Sequence, residues 1–354
     1  MGEPMRYKLL GNSGLKISEI ALGTGTFGTA WGWGCTREES QALFASFVEA
    51  GGNLFDCADG YQNGEAETML GEFVAHDRDN FILSTKYTTA VGALSIAKTG
   101  NHRKAMAMGI EGSLRRLRTD HVDIFWVHMP DLVTSIDEIL RGLEDVVRAG
   151  KARYIGISDF PAWKVSRAVT MADLRGWEPV SAIQIEYSLA ERSAERELIP
   201  MADAYGLAVF IWSVLGGGIL TGKYRRGEIG RLTRGGGSIR AMSAEREPLI
   251  LDAIESVATE QGVTTAQVAI AWVRARETRG SSFLPILGAR NLRQLADNLA
   301  AIDVTLTEAQ MARLDAASAI EPGFPHELVG RDEMKALHSG GYWDRLIPRG
   351  RTIV

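Results

Sequence analysis

Residues 18–39 read SEIALGTGTFGTAWGWGCTREE and separate two α/β architectures. It opens as a short apolar strand and then carries Gly23-Thr24-Gly25-Thr26-Phe27-Gly28, formally G-x-G-x-x-G. In a doubly wound dinucleotide-binding sheet this pattern must open a helix at once, because the helix N-terminus holds the pyrophosphate. Here the chain runs on into Thr29-Ala30-Trp31-Gly32-Trp33-Gly34, which cannot continue as a helix. The first helix signal is a capping box, Thr36 with Glu39. A strand, a long loop and only then a helix argue against the doubly wound sheet.

Working outward, seven further apolar, β-branched runs follow: NLFDCA (53–58), FILSTK (81–86), VDIFWVH (122–128), RYIGIS (153–158), SAIQIEY (181–187), AVFIWS (208–213) and FLPIL (283–287). Six of the seven spacings between consecutive strand starts fall between 27 and 41 residues, which suits a strand, a helix and a return loop. Thr264 with Gln267 and Thr307 with Gln310 repeat the capping signature. Eight strands alternating with helices predict an α/β fold, a single (β/α)8 TIM barrel over residues 1–354. The remaining spacing, 75 residues between the seventh and eighth strands, holds an insertion at 216–242. It is glycine-rich and carries Arg225, Arg226, Arg231, Arg234 and Arg240 against the single acid Glu228. A solvated surface loop would explain it. A lid for an anionic ligand explains it better, because a loop after a barrel strand lies on the catalytic face. A C-terminal tail, 318–354, is the second excess and is expected to fold toward the barrel mouth.

Composition narrows the function classes. The chain has 354 residues, 45% hydrophobic and 23% charged, with net charge −5, and its mean hydropathy is −0.05. These values exclude a disordered or fibrous chain and make nucleic acid a poor partner. No apolar run is long enough to span a membrane, and MGEPMRYKLLGNSG does not read as a secretory signal. Two cysteines, Cys35 and Cys57, provide neither a disulfide framework nor a zinc cluster, so no metal is expected and a reducing cytoplasm is the expected setting. Nothing in the sequence speaks to oligomeric state.

Barrel enzymes carry their chemistry at the C-terminal ends of the strands. The second strand ends in Asp56-Cys57-Ala58-Asp59-Gly60-Tyr61, the third in Lys86 and the fourth in His128. Each alone has a plain structural explanation: a packed ring, a solvated ammonium, a satisfied imidazole, a loop cap. Their convergence on one mouth favours function. A phenol with a pKa near 10 is a poor acid at neutral pH, and a nearby ammonium lowers it. Lys86 can supply that charge, Asp56 can hold Lys86, and His128 can polarise a carbonyl oxygen shared with Tyr61. The set suits proton delivery to a carbonyl oxygen and does not suit a serine nucleophile or a zinc-bound water.

At LGTGTFG (22–28), FDCADGYQNGEAETMLGE (55–72), STKY (84–87), DIFWVHMPD (123–131), GKARYIGISDF (150–160), QIEYS (184–188), WSVLGGGILTGKY (212–224) and PILGARNLRQLADNL (285–299), the sequence resembles the aldo-keto reductase family, with GISDFPAW resembling its aryl-alcohol dehydrogenase branch. The resemblance implies NADPH-dependent reduction of a small carbonyl compound, with Tyr61 as proton donor and Asp56, Lys86 and His128 as its partners. It further implies cofactor contacts from Gly23 and Thr24, from Asp56, from Ser158, Asp159 and Gln184 at the carboxamide, and from Trp212 under the ring. Ser213, Leu215, Gly217 and Lys223 would follow the pyrophosphate, and Gly288, Arg290, Gln294 and Asn298 the adenosine phosphate. An arginine at a helix start suits the extra phosphate of NADPH; pairing with an acid of its own helix would be the alternative.

Phe27, Trp31, Trp33 and Met129 are expected around the substrate, although the three rings could equally be loop packing. Five residues depart from the family pattern: Cys57 for Thr, Gln62 for Gly, Ala66 for Ser, Asp159 for Asn and Met129 for Trp. Cys57 could be redox-sensitive, and Gln62 should alter the loop of Tyr61. Two rival functions remain at this point, a nicotinamide-sensing regulatory subunit of the same fold and a phosphate-binding barrel isomerase.

Overall fold

In the computed structural model, which describes residues 4–89, 91–92, 95–230 and 245–346, eight parallel strands close on themselves. After a hairpin of β1 (Tyr7–Leu9) and β2 (Lys16–Ser18) come β3 (Ala21–Gly23), β4 (Leu54–Asp56), β5 (Ile82–Tyr87), β6 (Val122–Val127), β7 (Ala152–Ser158), β8 (Val180–Glu186), β9 (Ala208–Trp212) and β10 (Phe283–Leu287). Strands β3 to β10 pair in chain order, and β10 returns to β3. The expected (β/α)8 barrel is therefore the fold, and the G-x-G-x-x-G stretch is a barrel loop.

Helices α1 (Arg37–Glu49), α2 (Glu65–Val74), α3 (Arg103–Leu117), α4 (Ile136–Arg148), α5 (Ala162–Arg175), α6 (Leu198–Tyr205), α7 (Arg246–Gln261), α8 (Thr265–Ala275), α9 (Leu292–Leu299) and α10 (Glu308–Ala317) follow the barrel strands. All three capping boxes read from the sequence are present, at Thr36, Thr264 and Thr307. Among the described residues, no helix is long and apolar enough to cross a membrane.

The strand period of two sorts side chains into an inner and an outer layer. Leu54, Ile82, Ile124, Trp126, Ala182, Phe210 and Leu284 fill the barrel interior. Phe55, Leu83, Phe125, Ile155, Ile183 and Val209 face the helices. Counting on by twos from the inner residues places Asp56, Ser84, Lys86, His128, Gln184 and Trp212 on the inner parity at the C-terminal end. The alternation that packs the core thus also aims the polar strand ends at one mouth.

The β1–β2 hairpin was not read from the sequence. Its Leu10 and Ile17 pack into the inner core, and Asn12 donates to the Tyr205 carbonyl at 2.9 Å. The hairpin therefore caps the N-terminal end of the barrel. The alternation around Gly11-Asn12-Ser13-Gly14 was the signal available for it.

The tail departs from expectation. It forms α11 (His326–Val329) and α12 (Asp332–Ser339), and none of its described residues lines the cavity at the mouth. It is tied to the outer rim, where Arg196 donates to the Glu321 carbonyl at 2.7 Å and His326 meets Glu197 at 2.8 Å. Phe324, Tyr342 and Trp343 remain exposed.

Gly156 of β7 fills the interior only by having no side chain. A Cβ there would sit 2.2 Å from the Trp126 ring. Gly156→Ala is expected to lower stability by about 1–3 kcal/mol through overpacking, read as a lower urea midpoint with an unchanged slope.

Candidate active site

Lys86 lies fully buried at the end of β5, and each proton of its ammonium has a partner. Nζ donates to Asp56 Oδ2 at 2.7 Å, to the Cys57 carbonyl at 2.7 Å and to Tyr61 Oη at 3.3 Å. Asp56 is fixed from its other oxygen, where Ser84 Oγ and Gln184 Nε2 each donate to Oδ1 at 3.0 Å. The Tyr61 ring meets the His128 ring edge-on, with centroids 5.9 Å apart. The four strand-end residues named from the sequence therefore form one cluster.

Its electrostatics correct one expectation. Burial is the larger influence on Tyr61 and raises its pKa above that of an ordinary phenol, while Lys86 pulls the other way. Lys86 was expected to win. Burial also opposes the Lys86 ammonium, but Asp56 and Tyr61 outweigh it and keep the proton on. Burial, helped by the Lys86 charge, pushes His128 down to about 3, so its imidazole is neutral at neutral pH. Cys57 is fully buried, and burial pushes its thiol up. It stays protonated and inert, against the expectation of a redox-sensitive thiol.

A cavity of about 760 Å³ opens at this mouth. Asp56, Tyr61 and His128 line one part of it, with Trp31, Trp33 and Met129. Gly23, Asp159, Gln184, Trp212, Ser213, Leu215, Gly217 and Lys223 continue the lining, and Gly288, Arg290, Gln294 and Asn298 complete it. Asp159 accepts from the Trp212 indole at 3.1 Å, and burial pushes its carboxyl up to about 6 against that hydrogen bond. Asp159 and Ser213 both hold left-handed backbone, with φ of 57° and 60°, so the cavity wall stores strain.

Four predicted residues do not reach the cavity, Lys86 beneath its floor and three others. Phe27 is fully buried and packs edge-on against Phe73, so its ring belongs to the core. Thr24 is fully buried and bonds the Asp56 carbonyl from Oγ1 at 3.0 Å. Ser158 is buried beside Asp159. Thr24 and Ser158 support neighbours of the cavity. The basic loop is also divided. Arg226 lines the cavity while pairing with Glu228, Arg225 turns away to Asp252 and Glu255 of α7, and Arg231, Arg234 and Arg240 lie outside the described residues.

The sequence reading missed Ser84, whose only signal was a polar residue on the inner parity of a buried strand. It also missed Glu67, fully buried and bound by Thr85 and Arg116 behind the Tyr61 turn.

The cavity suits an anionic dinucleotide. His128 Nδ1 and Ser213 Oγ are buried without a hydrogen-bond partner among the described residues, which is costly unless a ligand supplies one. Lys223, Arg226 and Arg290 bring positive charge to the lining. The Arg290 guanidinium makes no ion pair among the described residues, against the alternative of a partner on its own helix.

Comparison with known proteins identifies the family. The model of the Aldo/keto reductase family matches residues 19–319. An aryl-alcohol dehydrogenase of Pestalotiopsis microspora is 32% identical over 363 residues, covering 97% of this chain and 92% of that protein. A norsolorinic acid reductase of Aspergillus flavus is 32% identical over 330 residues, covering 90% and 82%. An aldo-keto reductase of Aspergillus calidoustus is 31% identical over 345 residues, covering 92% and 85%. With its closed parallel barrel and its cluster of Asp56, Tyr61, Lys86 and His128, the chain belongs to the aldo/keto reductase family.

Proposed function

We propose that this oxidoreductase uses NADPH to reduce an aldehyde or ketone, aromatic or otherwise bulky, to the alcohol. The observation that carries the reading is the fully buried Lys86 ammonium held beneath the cavity floor by Asp56 and the Tyr61 hydroxyl. NADPH would supply a hydride to the carbonyl carbon. Gly23, Gln184, Asp159 and Trp212 would hold its reactive end, Ser213, Leu215, Gly217 and Lys223 its pyrophosphate, and Gly288, Arg290, Gln294 and Asn298 its phosphorylated adenosine.

The chain's own contribution is the proton. The carbonyl π bond breaks as a C–H bond forms from the hydride and an O–H bond forms from a single proton, which Tyr61 Oη gives. Burial keeps that proton on Tyr61 until the substrate oxygen becomes basic. Lys86 then stabilises the phenolate left behind, which water at the open mouth reprotonates. Neutral His128 donates or accepts a hydrogen bond at the same oxygen without adding a charge of its own. The alcohol–carbonyl direction depends on the cofactor ratio, and the same groups serve both ways by microscopic reversibility.

Tyr61→Phe is expected to lower kcat about 10²- to 10⁴-fold, followed as loss of NADPH absorbance with an aromatic aldehyde. Turnover near the wild-type level would remove Tyr61 from the mechanism. Arg290→Ala is expected to weaken NADPH binding about tenfold or more and NADH binding little, read by fluorescence titration of each cofactor. Asp159 adds a pH dependence. Its carboxyl, pushed up to about 6, is charged above that pH and then favours the cationic oxidised ring. The affinity for NADP⁺ should rise about threefold from pH 5 to pH 7, more than that for NADPH, and Asp159→Asn should flatten the rise.

A further inference from the structure

The loop bearing Trp31 and Trp33 hangs from two side chains, Gln62 in the turn that bears Tyr61 and Glu65 at the start of α2. Gln62 is fully buried. Its Nε2 donates to the Gly25 carbonyl at 3.1 Å and to the Trp33 carbonyl at 3.0 Å, and its Oε1 accepts from the Trp31 N–H at 2.9 Å. Glu65 Oε2 accepts from the Thr29 N–H at 2.8 Å and from the Ala30 N–H at 3.3 Å. The backbone of Gln62 is left-handed, with φ 48° and ψ 40°, a conformation costly for a residue with a Cβ and free for glycine. The three hydrogen bonds of its amide offset that strain.

Two glycines of the loop make room for the clamp. A Cβ on Gly28 would lie 2.9 Å from Gln62 Cβ and 2.5 Å from Glu65 Oε2, and one on Gly34 would lie 3.0 Å from Gln62 Nε2. The clamped loop sets the Trp31 ring edge-on to Tyr61 with centroids 6.2 Å apart, and 5.4 Å from the Trp33 ring. Both tryptophans line the cavity.

We propose that Gln62, seconded by Glu65, is a positioning residue that sets substrate specificity by locking Trp31 and Trp33 into a fixed aromatic wall beside the Tyr61 hydroxyl. This rests on the reading of Tyr61 as proton donor. A preset wall holds a flat aromatic carbonyl compound by ring contact, with no ordering of the loop on binding, whereas a short aliphatic aldehyde touches little of it.

The test compares 2-naphthaldehyde with butanal as substrates of wild type, Gln62→Gly, Trp31→Ala/Trp33→Ala and the triple variant, each with NADPH. Glycine adopts the turn's backbone freely, so the turn should still form. Gln62→Gly should raise KM for the aromatic aldehyde about tenfold while kcat falls less than about threefold, and should add almost nothing once both tryptophans are gone. Glu65→Ala should shift the aromatic-to-aliphatic ratio of kcat/KM in the same direction. Equal losses on both aldehydes, a full Gln62→Gly penalty without the tryptophans, or no shift in Glu65→Ala would overturn the clamp. A wild type that reduces neither aldehyde would overturn the reductase reading beneath it. A wild type that reduces both, with the ratio unmoved in Gln62→Gly, would overturn the clamp alone.

Discussion

A lysine ammonium with no access to water organises the mouth of this barrel. Lys86 is fully buried at the upper end of the barrel, where an unpaired charge would cost several kcal/mol. It is tolerated because its three protons meet a carboxylate, a backbone carbonyl and a phenol. That arrangement demands Asp56 on the neighbouring strand, and Asp56 in turn demands Ser84 and Gln184 on its second oxygen. A closed barrel supplies all four from strand ends held in register by backbone hydrogen bonds, so the cluster is rigid without help from the loops.

The loops serve a different purpose. They build the walls of the cavity, where Asp159 and Ser213 have positive φ, as does Gln62 buried behind the Trp31–Trp33 loop. Such residues persist only where their surroundings over-determine them. For Gln62 the surroundings are three hydrogen bonds to another loop, and for Asp159 they include the Trp212 indole. The division is a rigid floor for the chemistry and strained, tethered walls for recognition.

This division also explains what the sequence could reveal. The apolar, β-branched runs that end in Asp56, Lys86 and His128 are a local signal, and they marked both the strands and their polar ends. The capping boxes at Thr36, Thr264 and Thr307 are equally local. The misread features depend on contacts distant in sequence. Phe27 turns into the core because Gly28 and Gly34 let its loop close on Gln62 and Glu65, more than 25 residues away. The Tyr61 pKa moves up because burial outweighs Lys86, and burial is a property of the whole mouth. The tail settles on Arg196 and Glu197, partners that no periodicity within the tail could indicate.

In the proposed mechanism the Asp56–Lys86 pair manages the Tyr61 proton. Replacing both members together avoids leaving one charge buried and alone, so the most direct measurement is kcat of the Asp56→Asn/Lys86→Met protein at saturating NADPH and aromatic aldehyde. The expected result is a folded barrel by circular dichroism with kcat reduced about a thousandfold or more. A folded variant with kcat within about threefold of wild type would contradict it.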